Sequence, residues 1–246
     1  MANTNIPAME ISNLTVAYNN QPVLWDITTV IPQGMRVAII GPNGAGKTTL
    51  MKTALTLLSP LAGTIKLLGK PHTQMKGSVA YVPQRSLVDW DFPITALDLV
   101  VMGTYGKLGW IKRPGTKEYD DAYQALESVG MLAYANRPIG NLSGGQQQRI
   151  FIARALVQDA PLYMLDEPFL GIDKTTEQII SALFNKLCDA GKTIIVVHHD
   201  LHTVSTYFDW VLMINKKHVA SGPLTTSFTP EYLQATFNYS PFSLRG

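Results

Sequence analysis

Apolar residues recur along the chain with two different periods, and each period predicts a different secondary structure. Positions 9–18 and 23–31 alternate between apolar and polar residues, which is typical of strands with one buried face. Further strands are expected at 35–40, 64–68, 79–82, 162–165, 193–197, 210–215 and 218–221. Helical periodicity predicts helices at 50–58, 96–102, 117–129, 175–190 and 200–207, with a last helix from Tyr232. Because strands alternate with helices, we expect an α/β fold with a mostly parallel sheet that is covered on both faces.

The middle of the chain departs from this alternation. Up to about Gln158 it is expected to be mainly helical, apart from a loop rich in Gly, Lys and Arg at 103–115. A stretch that contains Trp90, Phe92 and Pro93 comes before the first of these helices and has the composition of a turn-rich loop.

A glycine-rich stretch between the predicted strand 35–40 and the predicted helix 50–58 has the composition of a phosphate-binding loop. It follows the pattern of Gly, four residues, Gly, Lys and then Ser or Thr. Its residues are Gly41, Pro42, Asn43, Gly44, Ala45, Gly46, Lys47 and Thr48, and Thr49 follows them. Glycines let successive backbone N–H groups converge on phosphate oxygens, and the helix adds its positive N-terminal end. We expect Lys47 to reach the β- and γ-phosphates of a nucleotide and the Thr48 hydroxyl to bind Mg²⁺.

The composition of the chain suggests a protein partner and argues against several other classes of function. Apolar residues make up 46% of the chain and charged residues only 15%, which suggests that a partner covers part of the surface. The net charge of +2 and the absence of a dense Lys/Arg stripe argue against a nucleic-acid partner. The only cysteine, Cys188, excludes an intrachain disulfide. No apolar run approaches 18 residues and no signal peptide is expected, so any membrane role would go through another protein.

An apolar strand that ends in two adjacent carboxylates, Asp166 and Glu167, is a second candidate for phosphate chemistry. In a protein with a phosphate loop, an acid at such a strand end helps to hold the Mg²⁺ that bridges the phosphates. The neighbouring Glu167 is expected to point the other way and to polarise an attacking water. Acids at turns often follow apolar strands, so the pair gains weight mainly from the phosphate loop upstream.

The run Leu-Ser-Gly-Gly-Gln at 142–146 is the third candidate. Ser143 as an N-cap with Gln146 three residues later predicts a capping box at the start of a helix. This structural explanation leaves Gly144 and Gly145 unexplained, because a glycine in a first helical turn weakens the helix by about 1 kcal/mol. Bare glycines there would let a phosphate approach the exposed N–H groups.

In this order and spacing, the loop at 41–48, the run at 142–146 and the acidic pair at 166–167 resemble the nucleotide-binding subunit of an ATP-binding cassette (ABC) transporter. The resemblance covers about residues 9–221. It implies a P-loop NTPase core with a mostly parallel sheet, an N-terminal antiparallel β part and an inserted helical subdomain.

The same resemblance implies how the chain is divided. Residues 1–246 would be a single ABC ATPase domain. Within it, 1–87 and 159–246 would form the nucleotide-binding core lobe, and 88–158 would form the helical lobe that carries the Ser143 motif.

Further site residues follow from the resemblance. Tyr18 matches an aromatic residue that stacks on adenine, although an ordinary tyrosine at a strand end is the alternative. Gln84 matches a glutamine that reaches Mg²⁺ and senses the membrane partner, so the ion would be held by Thr48, Gln84 and Asp166. Asp173 matches a loop that crosses the dimer interface, although the preceding Phe169-Leu170 departs from the small residues that are commoner there.

The implied catalytic residues are Glu167 and His199. Glu167 would be the general base, and His199 would position water and the γ-phosphate. Two copies would pair head to tail, so that ATP bound at Lys47 of one copy is also contacted by the other copy. The residues that contact it in this way are Ser143, Gly144, Gly145 and Gln146.

The stretch from Val88 to Gly103 and the doubled histidine before Asp200 resemble ATPases of bacterial manganese, zinc and iron importers. This implies a homodimer at the cytoplasmic face of the membrane, held there by integral-membrane permease subunits and served indirectly by an extracytoplasmic metal-binding protein. The aromatic residues Trp90, Phe92 and Trp110 either receive the permease or pack inside the helical lobe.

Three alternatives remain open. The transported substrate could be a siderophore or a peptide, or the chain could be an ABC ATPase without a transport role. A regulator that binds nucleotide without hydrolysis is disfavoured by Glu167 and His199.

His198 and His202 have the i, i+4 spacing of a metal pair, but a strand end at His198 makes that geometry unfavourable.

Overall fold

The computed structural model describes residues 6–19, 21–75, 77–109 and 112–237. The hypothesis for Trp110 therefore lies outside the described residues. The chain divides into two compact units, of which the first comprises Met1–Met75 with Gly191–Gly246 and the second comprises Lys76–Ala190. In the part of the chain that the structure describes, no helix is both long enough and apolar enough to cross a membrane.

Strands and helices alternate over most of the chain. The strands are β1 (Met9–Tyr18), β2 (Gln21–Ile31), β3 (Arg36–Ile40), β4 (Ala62–Leu67), β5 (Lys70–Pro71), β6 (Val79–Val82), β7 (Leu162–Asp166), β8 (Thr193–Val197), β9 (Trp210–Asn215) and β10 (Lys217–Pro223). The helices are α1 (Lys47–Ala54), α2 (Ala96–Val101), α3 (Tyr105–Leu108), α4 (Thr116–Ser128), α5 (Gly144–Leu156), α6 (Lys174–Asp189), α7 (Leu201–Tyr207), α8 (Leu224–Ser227) and α9 (Pro230–Phe237).

The first unit contains an antiparallel sheet with the strand order β2-β1-β4-β5. Along β1 and β2 buried residues alternate with accessible ones, as the sequence predicts for strands with one buried face. This sheet confirms the expected N-terminal antiparallel part of the fold.

A second group of strands in the same unit carries the phosphate loop. Strand β3 pairs in parallel with β8 and β9, and β9 pairs antiparallel with β10. Val37 to Ile40 of β3 and all five residues of β8 are buried, which explains their nearly continuous apolar sequence. At the start of β3, Arg36 Nε donates to Asp209 Oδ2 at 2.9 Å and fixes the strand before β9 begins.

The second unit combines two parallel strands with a helical cluster. Strands β6 and β7 pair in register from Val79–Leu162 to Val82–Leu165. Helices α2, α4 and α5 pack on one another around small and aliphatic residues that are fully buried, which include Ala96, Val100, Ala122, Leu126 and Ile150.

Helix α1 and the predicted loop at 103–115 differ from their predictions, and the last helix begins at Pro230 rather than at Tyr232. Helix α1 begins at Lys47 and ends at Ala54, earlier than the predicted 50–58, because the chain enters the helix directly from the loop and Thr56 has a positive φ of 62°. The predicted loop at 103–115 contains the short helix α3, which its glycines concealed from propensity arguments.

Candidate functional site

The phosphate loop of the first unit joins the end of β3 to the start of α1. Gly46 precedes the helix with φ 96°, in the left-handed region, and a Cβ there would collide with the side chain of Leu24. Glycine satisfies both conditions, so the chain turns sharply at Gly46 and the N-terminal end of α1 follows the loop directly.

Lys47 lies folded across this loop. Its Nζ donates to the carbonyl oxygens of Gly41, at 2.8 Å, and Pro42, at 3.0 Å. The residue is only 7% exposed, so an ammonium group is held in a nearly closed site by two neutral acceptors. A phosphate at this position would offer the ammonium a charged acceptor, which forms a stronger hydrogen bond than a carbonyl does.

Two further candidates of the first unit have exposed side chains. Tyr18 lies at the end of β1, opposite Gln21 of β2, and is 43% exposed, so its ring is available for stacking. His199 is exposed in the segment between β8 and α7.

The neighbouring His198 has a different environment. It is 1% exposed, its Nε2 lies 2.8 Å from Thr203 Oγ1, and its ring lies 5.2 Å from that of Phe208. Burial, with a smaller contribution from the nearby His199, lowers the pKa of His198 to about 4. Of the two adjacent histidines, His199 is thus the one whose side chain faces solvent.

His198 and His202, whose spacing alone would allow a metal pair, are not arranged for a shared ion. His198 is buried beside Thr203, whereas His202 is exposed on α7. Among the residues that the structure describes, no group of three His, Cys, Asp or Glu side chains is placed to hold a metal ion.

In the second unit, the residues that follow β6 and β7 meet at one edge of the sheet. Val82 pairs with Leu165, so Gln84 and Glu167 each lie two residues beyond paired positions. Gln84 Nε2 donates to Glu167 Oε2 at 2.7 Å. Glu167 has a positive φ of 52°, an unusual conformation for a residue other than glycine, which turns the chain sharply after Asp166.

Asp166 at the end of β7 is 1% exposed. Its charge contributes, after the larger effect of burial, to raising the pKa of Tyr81 to about 12. The carboxylate of Asp166 therefore creates a negative potential at this strand end, which suits a cation.

The run at 142–146 forms the predicted capping box. Ser143 N donates to Gln146 Oε1 at 2.9 Å, and Gln146 N donates to Ser143 Oγ at 3.4 Å. Helix α5 begins at Gly144, as the sequence predicts, and its first two residues are glycines.

Gly145 lies beside the start of helix α6. A Cβ at Gly145 would lie 3.2 Å from Thr176 Oγ1 and 3.7 Å from Asp173 Oδ2. Asp173 caps α6, with Oδ1 accepting from Thr176 N at 2.8 Å and Oδ2 accepting from Thr176 Oγ1 at 3.1 Å. The backbone N–H of Thr176 is the main cause that lowers the pKa of Asp173.

Phe169 and Leu170 stand where small residues are commoner in the family, and packing explains the larger residue at 169. The Phe169 ring is buried and meets that of Phe184 edge-on at 5.8 Å, whereas Leu170 is exposed. The large residue at 169 therefore fills the core beneath α6.

The aromatic residues Trp90 and Phe92 are expected either to receive the permease or to pack inside the helical lobe, and their environments differ. The Trp90 ring meets that of Phe151 on α5 at 5.1 Å, so it packs within its own unit. Phe92 is 57% exposed and remains available to a partner.

Residues 24–170, more than half of the chain, match the sequence model of the ABC transporter family. The chain belongs to the ABC transporter family.

Relatives of this ABC protein cover nearly its whole length. It is 54% identical over 94% of its length to the zinc transport system ATP-binding protein TroB of Treponema pallidum, covering 86% of that protein. It is 50% identical over 93% of its length to the manganese transport system ATP-binding protein MntB of Bacillus subtilis, covering 92% of that protein.

Solved structures agree on the fold. An inward-facing metal-chelate type ABC transporter superposes with a TM-score of 0.83 at 28% identity, covering 95% of this chain and 89% of the other. An ATP-binding cassette solved as a dimer in a post-hydrolysis state, with ADP and Pi bound, superposes with a TM-score of 0.78 at 25% identity, covering 88% and 98%. The P-loop fold of the ABC ATPases is thereby confirmed.

The structure adds residues that sequence motifs alone did not indicate. Arg85, Gln147 and Thr176 all contact the predicted site residues or their neighbours. Only the position of Arg85 directly after Gln84 could have drawn attention to it.

Proposed function

We propose that this chain is the ATP-hydrolysing subunit of an ABC importer that powers the uptake of a divalent metal ion, namely manganese, zinc or iron, through a separate membrane permease. The observation that carries the proposal is the similarity over nearly the whole chain to ATP-binding proteins of zinc and manganese transport systems. The metal is the cargo of the permease, so this subunit needs no metal site for it.

ATP would bind at the loop Gly41–Thr48, with Thr49 following and with Tyr18 stacked on adenine. The fit is supported by Lys47, whose buried ammonium group is held at the loop by two carbonyl oxygens. The N-terminal end of α1 carries a partial positive charge, which is suited to phosphate oxygens.

Mg²⁺ fits the donor set of this chain, because it prefers oxygen ligands. The Thr48 hydroxyl, the Gln84 amide oxygen and the Asp166 carboxylate would hold it, and Asp166 lies buried at a strand end. When bound, the ion neutralises charge on the β- and γ-phosphates.

Glu167 would act as the general base, since a carboxylate at this position can accept a proton from the attacking water. The hydrogen bond from Gln84 occupies one oxygen of that carboxylate, so Gln84 must move or share it during the reaction. His199, which is exposed, would position water and the γ-phosphate. Positioning and charge stabilisation would supply most of the rate gain.

The working assembly would be a homodimer at the cytoplasmic face of the membrane, attached through the permease. The turn of Ser143, Gly144, Gly145 and Gln146 from one copy would contact ATP on the other, and Asp173 would lie in the loop that crosses the interface. The dimer of a related cassette with ADP and Pi supports this arrangement. The permease would in turn receive the metal from an extracytoplasmic binding protein.

The proposal is tested with vesicles that contain the whole complex and its binding protein. Addition of manganese, zinc or iron is expected to stimulate ATP hydrolysis severalfold over vesicles without metal. Stimulation by a siderophore or a peptide instead would reject the metal assignment. Failure of the chain to co-purify with any membrane subunit would favour a soluble ABC ATPase.

A further inference from the structure

Arg85 connects the segment after β6 to the second turn of helix α5. It follows Gln84 directly and begins a short 3-10 turn, Arg85–Leu87. Arg85 Nε donates to Gln147 Oε1 at 2.9 Å. Gln147 is buried, and its Nε2 donates to the carbonyl oxygen of Ile139 at 3.1 Å. The Ile139 carbonyl therefore fixes the Gln147 amide with its oxygen toward Arg85.

The guanidinium group of Arg85 also lies against the backbone of Gly144. A Cβ at Gly144 would lie 2.8 Å from Nη1, 3.0 Å from Cζ and 3.3 Å from Nη2 of Arg85. A side chain at position 144 would therefore have to displace the guanidinium. The absence of a side chain at Gly144 serves this contact in addition to leaving room for a phosphate.

Trp90 attaches the same segment to α5 at a second point. Its Nε1 donates to the carbonyl oxygen of Arg85 at 3.0 Å, and Arg85 Cζ lies 5.9 Å from the centre of its ring. The Trp90 ring also packs edge-to-face against the ring of Phe151 on α5. The segment after Gln84 is thus joined to α5 at Gln147 and at Phe151.

We propose that Arg85 is a positioning residue that couples movement of Gln84 to the turn 143–146. The inference rests on the proposed function, in which Gln84 responds to the membrane subunit and the turn binds ATP of the second copy. Because Arg85 is covalently next to Gln84 and bonded to Gln147, a displacement of Gln84 changes the contact on Gly144. Arg85 is exposed overall, so its charge alone is screened and its planar, forked geometry carries the coupling.

The test compares Arg85→Ala and Arg85→Lys with the wild type in the complete complex in vesicles and in the chain alone. In the complex, both variants are expected to raise the half-saturating ATP concentration for hydrolysis about 5- to 10-fold, a typical coupling factor. Stimulation by the membrane subunits should fall by a similar factor. Binding of a fluorescent ATP analogue to the chain alone at low concentration should stay within about twofold, because Lys47 is unaltered.

Lysine restores the charge but not the fork, so a rescue by Arg85→Lys would contradict the geometric part of the argument. Ser86→Ala, at an exposed neighbour, is the matched control and should behave like the wild type. The double variant of Arg85→Ala with Gln147→Leu should lose no more stimulation than the more affected single variant, since both act through one contact.

Wild-type stimulation and half-saturation in Arg85→Ala would overturn the proposal. A loss that only parallels a lower melting temperature would also overturn it, because that result describes a structural role. If the wild-type complex does not hydrolyse ATP, the proposed function itself fails and the coupling fails with it. This outcome is visible before any variant is compared.

Discussion

Gln84 donates a hydrogen bond from Nε2 to Oε2 of Glu167 over 2.7 Å. The two residues meet because they follow parallel strands that are paired at Val82 and Leu165. The proposed sensor of the membrane subunit thus contacts the proposed general base directly. Any movement of Gln84 changes the hydrogen bonding of the carboxylate that must accept a proton from water.

Replacement of that carboxylate by an amide separates binding from hydrolysis. Glu167→Gln should keep ATP binding and nearly abolish steady-state hydrolysis, because an amide cannot accept the proton of the attacking water. The amide oxygen can still accept the bond from Gln84, so the melting temperature should stay within about 2 °C. Phosphate release and nucleotide binding by the purified chain are the measurements. Near-normal turnover would remove Glu167 from the role of base.

The buried ammonium group of the phosphate loop is expected to contribute mainly to nucleotide affinity. Lys47→Ala should weaken ATP binding about 100-fold, because it removes a charge-assisted hydrogen bond from a nearly closed site. Lys52→Ala, on the same helix, is the matched control and should bind ATP normally. Titration with a fluorescent ATP analogue measures the affinity of each variant. Equal affinities in the two variants would contradict the assigned site.

Asp173 has a structural contact that can be separated from its proposed role in the dimer. Asp173→Ala should lower the melting temperature by about 2–4 °C through loss of the helix cap, whereas Asp173→Asn should keep the cap. If the carboxylate also acts across the dimer interface, Asp173→Asn should still reduce ATPase activity severalfold at unchanged stability. Thermal unfolding and ATPase assays on both variants are required. An asparagine variant with full activity would limit Asp173 to capping.

The buried His198 predicts a pH dependence of stability. Its pKa is about 4 in the folded chain and about 6.5 when unfolded, so the unfolded state binds a proton first as the pH falls. The stabilising contribution is present above about pH 6.5 and is lost as the pH falls toward 4. The loss is on the order of 3 kcal/mol.

The variant His198→Gln provides the comparison for this effect. It keeps a polar group near Thr203 but does not titrate, so its stability should fall less between pH 6.5 and 4 than that of the wild type. Unfolding in denaturant at several pH values measures the difference, which isolates His198 from other titrating groups. Parallel pH curves for the two proteins would contradict the assignment.

Much of the fold and part of the site can be predicted, because they depend on residues that are close together in the sequence. The alternation in β1, the apolar run of β8 and the capping box at Ser143 each depend on neighbouring residues only. The family resemblance added Gln84 and His199, which no local pattern distinguishes from other polar residues at strand ends.

The rest depends on contacts between distant parts of the chain. No spacing rule places Arg85 against Gly144, because 58 residues of chain separate them and packing alone brings them together. Likewise, the sequence shows two adjacent histidines, but only the packing of Phe208 and Thr203 shows that His198 is buried.

The proposed function is that ATP hydrolysis at Glu167 drives metal uptake. Its most direct test is the accumulation of radiolabelled manganese or zinc in vesicles that contain the complete complex and its binding protein, with ATP supplied to the side of this subunit. The wild type is expected to accumulate at least one of these ions only when ATP is present, and Glu167→Gln is expected to accumulate neither. ATP hydrolysis by the wild-type complex without accumulation of any divalent metal would contradict the claim.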